Sequence, residues 1–589
     1  MNNFWKTFFA ALLAVIVGFI VHFFLIIFFI AALIGSSSSK EAIPVVKSNS
    51  VLKIDFTADA LGERTSDVMD NFALEDLYFG FSGSTIGIYD AVKAVRAAAA
   101  DPKIKMIYIY TDYQTSSGIS NLEELRNALK EFRDSGKPII AYGMNYTTGS
   151  YYLASVADKI YMNTDGNASI IGIGGYLLFF KDLADNLGLD IQLIRHGKFK
   201  AAAEQYIASN ISKENKEQNE ALYGSIWESW AEAICAERVI TKEALDSAIN
   251  NLKLEDSQSM LEMGLIDSIY TVDQLYSKVA ELMEVNSKDD LNIISLKNYS
   301  ETILNRTKSS DKIAVLYANG EITMDGTSGI GATRMIKDIK KIRKDKNVKA
   351  VVFRVNSPGG EAQAAEVIRN ELALLKEEKP IVVSYGDYAA SGGYWISAEC
   401  GPIFSNKTTI TGSIGVFSLA ISYGNALKKH LKINNAKIGT HAHAGMGSGI
   451  APLDAAELAY YQSSVEHVYT KFTNIVANGR NLPADYVDSV GQGRVWSGAD
   501  ALNNKLVDHI GGLTDAIAYA STLIEQSSEP ADYKIVEYPI LKSQWESILE
   551  SFSPTAQEDL IKSKLQDIAS QLQGVHTYAR LPYIYRIDY

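Results

Sequence analysis

The chain has almost no cysteine: Cys235 and Cys400 are the only two in 589 residues. They permit at most one disulfide, which excludes a disulfide scaffold and a four-cysteine zinc site. Long basic runs are also missing, and the net charge is −13, so nucleic acid is not an expected partner. None of the eight histidines stands in a recognisable triad motif, and there is no G-x-S-x-G elbow. The pair His441 and His443, in "HAHAG", has metal-ligand spacing but no nearby cysteine or carboxylate cluster, so neither a metal nor a cofactor is expected. What is present is apolar and ordered. Apolar residues make up 47% and charged residues 21%, enough for sizeable cores and unlike a disordered chain. The length calls for more than one domain.

The amino-terminal segment is the strongest compositional signal. Phe8 to Ile34 contains no Asp, Glu, Lys or Arg across 27 residues. A bilayer core needs roughly 20 apolar residues of helix, whereas a secretory h-region has only about 7–15. A membrane anchor is therefore expected over residues 1–40, and the preceding Lys6 favours an N-in, body-out orientation. In a bacterium this puts the body on the periplasmic side of the inner membrane.

Beyond the anchor the chain repeats once, at an offset of roughly 240 residues. "GMNYTTGSY" (Gly143 to Tyr151) matches "GDYAASGGY" (Gly386 to Tyr394), and "ADPKIKMIYIYTD" matches "KDKNVKAVVFRVN". A solenoid repeats every roughly 20–50 residues, so this period means duplicated domains. Short β-branched runs alternate with helix-like segments, the pattern of a parallel sheet covered by helices. The expected division is an anchor at 1–40, a first half at 48–298, a second at 311–530 and an extension at 531–589. Ser300 to Ser310 is the polar join.

The mismatches between the halves carry the functional signal. Ser391 falls opposite Thr148, and Ser357-Pro-Gly-Gly360 falls opposite Tyr113 to Ser116. Conversely, Lys200 in "GKFKAAAE" falls opposite Ala444. One half keeps a lysine and the other a serine with a glycine pair, which points to one composite site. Serine needs a base to become a nucleophile. A lysine serves if burial lowers its pKa enough to leave it neutral, and the apolar setting of Lys200 suits that; the neighbouring Lys198 is its competitor. Gly392, at an expected helix start, and Gly359-Gly360, at a strand end, offer backbone amides for an oxyanion. Each feature alone has a plain structural reading as a turn or a solvated charge. Tyr394 and Trp395 read equally as cleft lining or core.

These residues resemble a known family. Ser357-Pro-Gly-Gly360 with "AASGG" is similar to the Clp-protease/crotonase superfamily. The anchor, the duplication, "TGSIGVF", "GRVWSGADA" and "LVDHIGG" narrow the resemblance to the long, tandem form of signal peptide peptidase A. The resemblance implies an α/β fold of two tandem Clp/crotonase-like domains behind one transmembrane helix. It implies a Ser-Lys dyad with Ser391 as nucleophile and Lys200 as base, Gly360 and Gly392 as oxyanion donors, and Ser413 holding the lysine. It further implies a membrane-bound homotetramer that degrades hydrophobic signal peptides. A crotonase-type acyl-CoA enzyme and a non-catalytic membrane scaffold are the competing readings. The tail "HTYARLPYIYRIDY" has no role legible in its sequence beyond packing against a neighbouring subunit.

Overall fold

The computed structural model describes residues 44–57, 59–64, 84–112, 118–303, 309–325, 329–524, 533–540 and 576–581, with Phe8, Val17, Gly18 and His22. Apart from those last four, the stretch expected to anchor the chain lies outside the described residues. No helix among the described residues is long and apolar enough to cross a membrane. Tyr113 to Ser116, the counterpart of the Pro-Gly-Gly turn, also lies outside them.

Leaving aside a separate two-stranded ribbon of Asp59–Gly62 and Ser84–Gly87, the described strands of the first half are β1 (Ser50–Asp55), β2 (Ile104–Tyr110), β3 (Ile139–Thr147), β4 (Lys159–Ser169), β5 (Asp190–His196), β6 (Ser268–Ile269) and β7 (Asn292–Ser295). Six of them form a parallel sheet in the order β6-β4-β3-β2-β1-β7. The exception is β5, which leaves this sheet for the other half. The second half supplies β8 (Lys312–Asn319), β9 (Ile322–Thr323), β10 (Ile330–Gly331), β11 (Val348–Ser357), β12 (Gly359–Glu361), β13 (Ile381–Ala390), β14 (Ile403–Ser405), β15 (Ile410–Gly412), β16 (Val416–Ser422), β17 (Val495–Ser497), β18 (His509–Ile510), β19 (Lys534–Tyr538) and β20 (His576–Arg580). Its main sheet runs β17-β15-β13-β11-β8-β19, with β14 pairing β13 and β18. Thus β8, β11 and β13 repeat the order of β1, β2 and β3. The outer strand β19 lies within 531–589, the stretch the sequence division reads as an extension.

The strand sequences explain why both sheets are covered on both faces. Along β8, Ala314, Leu316 and Ala318 point into one core while Ile313, Val315 and Tyr317 point into another. A strand buried on both sides reads as a continuous apolar run, as "IAVLYA" does. Helices match across the halves too: α1 (Ile88–Ala100), α2 (Ile119–Asp134) and α3 (Thr148–Ala154) correspond to α4 (Ala332–Lys344), α5 (Ala362–Glu378) and α6 (Gly392–Ser397). In α5 the buried Ala365, Ile368, Leu372 and Leu375 recur at helical spacing, which lays one stripe on the sheet. Pro380 follows its cap and prevents continuation.

A third sheet, β10-β9-β12-β20-β16-β5, joins the halves. Here β5 of the first half pairs antiparallel with β16 of the second, from Val416↔His196 to Ser422↔Asp190. A buried polar contact reinforces the join. Arg354, only 1% exposed, contacts Glu63 and lies 2.8 Å from Glu124 of α2. Asp387 accepts from the amide of Ser120 at 2.8 Å, and Glu123 accepts from the amides of Lys407 and Thr408, both at 3.0 Å. Every carboxylate here has a donor, as burial demands.

Candidate active site

The shared sheet carries Lys200 to Ser391. After β5 the chain turns at Gly197, and the Phe199 amide donates to the Gln492 carbonyl at 3.0 Å. The side chain of Lys200 is then enclosed by glycines: a Cβ on Gly415 would lie 3.1 Å from its Cδ, and one on Gly493 would lie 2.5 Å from its Cβ. Those close approaches require residues without side chains. Nζ of Lys200 donates to Oγ of Ser391 at 2.8 Å, to Oγ of Ser413 at 2.9 Å and to the Ser413 carbonyl at 3.1 Å. Both residues of the pair come from one chain, and Lys200, Ser391 and Ser413 are all fully buried.

Burial alone holds the Lys200 ammonium well below its ordinary pKa. No carboxylate is among its three partners, so nothing nearby offsets the loss of hydration. The competitor Lys198 is exposed and lies over the Phe199 ring, 4.9 Å from its centroid.

Ser391 sits at the cap of α6 with φ 54° and ψ −113°. That backbone is strained for a residue bearing a Cβ, and it is held by the Ser391 amide donating to Gly412 and the Trp395 amide donating to Ser391, both at 2.8 Å. A serine in this position ordinarily caps the helix with its hydroxyl. Here the hydroxyl makes no capping bond and faces Lys200 instead. Gly359, with φ 100°, brings its Cα close to Gly392, and a Cβ on Gly392 would lie 3.1 Å from the Gly360 nitrogen. The amides of Gly360 and of the residue after Ser391 are therefore neighbours.

Tyr394 and Trp395 are core residues: the Tyr394 hydroxyl donates to the Leu506 carbonyl at 2.7 Å, and Trp395 packs on Phe472 with ring centroids 4.7 Å apart. Both cysteines are free thiols. The expectation that no carboxylate cluster adjoins "HAHAG" is corrected, because His443 gathers with Asp454 and Glu457. Asp454 and Glu457 form a reciprocal cap at the start of helix Ala455–Arg480, so their oxygens already serve the backbone. Sequence reasoning missed Arg354, Glu63 and Asp387. The one signal was an arginine inside the apolar run "AVVFRV".

Comparison with known proteins adds a family to this geometry. The model for peptidase family S49 matches residues 131–286 and 373–527. The chain belongs to peptidase family S49. It is 34% identical to "Protease 4" of Haemophilus influenzae, over 81% of this chain and 80% of that one. Against "Protease 4" of Salmonella typhi the identity is 31%, over 85% and 83%. Against "Serine protease SPPA, chloroplastic" of Arabidopsis thaliana it is 31%, over 74% and 65%. Two S49 regions, and relatives matched over most of the chain, identify the long, tandem form of signal peptide peptidase A. An S49 member is a serine peptidase, which displaces the acyl-CoA and scaffold readings.

Proposed function

We propose that Ser391 and Lys200 are the catalytic dyad of a membrane-anchored endopeptidase that degrades hydrophobic signal peptides. The observation that carries this reading is the 2.8 Å contact between Nζ of Lys200 and Oγ of Ser391 in a fully buried setting. Neutral Lys200 takes the Ser391 proton as Oγ attacks the scissile carbonyl. Ser413 orients the amine through its hydroxyl and carbonyl. The amides of Gly360 and Gly392 receive the oxyanion, and Lys200 then returns the proton to the leaving amine. Water hydrolyses the acyl-enzyme by the same steps.

The division into a lysine-bearing half at 48–298 and a serine-bearing half at 311–530 is part of this proposal, supported by the strand β5 crossing between them. So is the anchor at Phe8–Ile34, which would hold the body at the periplasmic face of a bacterial inner membrane and raise the local concentration of membrane-bound peptides. Assembly into a homotetramer completes it. The test is cleavage of a fluorogenic apolar peptide by the detergent-solubilised protein. Ser391→Ala and Lys200→Ala are expected to be folded and inactive, and full activity in Lys200→Ala would end the dyad assignment.

A further inference from the structure

The strand that leads to Lys200 ends in a side chain that the proposed chemistry does not use. His196 is the last residue of β5, paired with Val416 of β16, and the chain turns at Gly197 directly after it. Its ring meets helix Ala455–Arg480 of the second half in two ways. Nδ1 of His196 donates to Oε2 of Glu466 at 2.5 Å; an ionised carboxylate can only accept, so Nδ1 carries the proton. The face of the same ring stacks on Tyr469, with centroids 3.7 Å apart and planes inclined by 19°. Gln462, Glu466 and Tyr469 recur at the spacing of one helix face. Gln462 completes that face: its amide donates to Oε1 of Glu466 at 2.6 Å and to the Arg195 carbonyl at 3.3 Å.

From Tyr469 the contacts run on to the far side of the turn. Burial, together with the bond to Asp488, holds the Tyr469 phenol above its ordinary pKa. The hydroxyl therefore keeps its proton and donates it to Oδ1 of Asp488 at 2.6 Å. The same hydroxyl oxygen accepts from the Gln492 amide at 3.2 Å. Gln492 is held at φ 53°, a backbone that a residue with a side chain adopts only when its surroundings impose it. Its carbonyl is the acceptor for the Phe199 amide, and a Cβ on Gly197 would stand 2.4 Å from that carbonyl oxygen. The second half thus grips the turn at both ends, at His196 before Gly197 and at Phe199 after it. On the alignment that sets Lys200 opposite Ala444, His196 falls opposite Thr440, an exposed residue. The half without the lysine has no histidine at this position either.

We propose that His196 is a positioning residue for the reaction: held by Glu466 and Tyr469, it fixes the turn that delivers Lys200 to Ser391. This inference rests on the Ser391–Lys200 reading above. The side chains of His196 and Glu466 are 25% and 47% exposed, so their attraction is screened and adds little to stability. What the pair supplies is geometry. Nζ of Lys200 has only hydroxyl and carbonyl partners, which steer it more weakly than a charged group would. A displacement of about 1 Å in a reacting group can cost roughly 10²-fold in rate. A loosened turn would also let water reach the amine, and hydration favours its protonated form.

The test is turnover of a fluorogenic apolar peptide by the full detergent-solubilised chain across a pH series, read beside denaturant unfolding. In His196→Ala, kcat is expected to fall about 10–10²-fold with KM within about twofold, and the rise of kcat with pH to move to higher pH. Glu466→Ala is expected to shift both in the same direction. Glu466→Gln, whose amide oxygen still accepts from Nδ1, should recover most of that loss. The double variant His196→Ala with Glu466→Ala should be no slower than His196→Ala alone, because both changes remove one interaction. A folded His196→Ala with wild-type kcat and an unmoved pH rise overturns the inference, and an inactive Lys200→Ala in the same assay then leaves the dyad standing. A loss of kcat that leaves the pH rise in place, and that Glu466→Gln does not recover, makes His196 merely structural and overturns it too. If His196→Ala does not fold, Glu466→Ala and Glu466→Gln give the same two readouts and decide in the same way. Full activity in Lys200→Ala overturns the dyad reading, and this inference with it.

Discussion

The two halves build the same strand-to-helix corner and use it differently. At the end of β3, Thr147 has φ −90° and caps α3 in a reciprocal box with Ser150, and the Thr148 hydroxyl accepts from the Ile171 amide at 3.1 Å. At the end of β13, Ser391 has φ 54°, leaves its helix without a side-chain cap and turns its hydroxyl to Lys200. One corner satisfies its own backbone. The other holds a strained residue whose hydroxyl is free for chemistry, a strain maintained by the surrounding packing. The lysine loops invert the comparison. In the first half the turn after β5 buries Lys200, while the aligned stretch around Ala444 in the second half lies mostly exposed. On the proposed reading, each half contributes one part of a single shared site.

The largest expected effect breaks the comparison at the serine. Ser391→Ala should lower kcat for an apolar peptide by about 10⁴-fold or more, whereas Thr148→Ala should change it by less than about twofold. Equal losses in the two variants would mean the first-half corner also takes part in chemistry. Lys200→Met comes next, with an expected loss of about 10²–10⁴-fold in kcat. In the proposed mechanism the neutral amine is the working form, so activity should rise with pH through the lowered Lys200 pKa and level off above it. For stability, the unfolded lysine binds a proton over the range between that lowered value and 10.5 and the folded one does not, so folding strengthens as pH rises through this window. A thermal-unfolding series should show that slope in the wild type and lose it in Lys200→Met.

Much of this site was legible because duplication supplies an internal reference. Lys200 opposite Ala444, and Ser391 opposite Thr148, are visible as complementary losses without any structure, and the repeated β-α pattern gives the parallel strands at the centre of both sheets, though not the antiparallel edge strand β17. What was not legible depends on contacts between distant parts of the chain. Nothing local to "DIQLIRH" says that β5 will abandon its own sheet for β16. Nothing in "HTYAR" says that it will lie against Gly359 and Gly360, because that pairing joins residues more than two hundred positions apart. The positive φ of Ser391 is likewise set by the Gly412 and Trp395 hydrogen bonds, not by its neighbours in sequence.

A third comparison concerns where the halves meet. Burial, with the Glu63 charge next, raises the Asp387 carboxyl from 3.8 to about 7, although the Ser120 amide and Arg354 oppose the shift. Between these values the folded state holds a proton that the unfolded state releases, so stability contributed by the neutral acid is present at low pH and lost as pH rises toward 7. Asp387 as a whole residue is only half-buried, so the loss should be on the order of 2 kcal/mol, less than the roughly 4 kcal/mol of the full shift. Asp387→Asn should flatten this part of the stability-against-pH curve, which denaturant titration at several pH values would reveal. An unchanged slope would transfer the effect to Glu63, whose carboxyl burial also raises.

The smallest effect sharpens the opening comparison most directly. If the first-half corner is structural, removing its cap should be felt by folding and not by catalysis. Thr147→Ala deletes the acceptor for the Ser150 amide, now 3.2 Å from the threonine hydroxyl, and cap removal of this kind costs about 1 kcal/mol. The variant should unfold at lower denaturant with an unchanged m-value and cleave peptide at the wild-type rate. A rate loss at preserved stability would show that the capped corner transmits its position to Lys200. The lysine hangs from the same half through β5, so a shift of that half by a fraction of an ångström would reach Nζ before it reached Ser391.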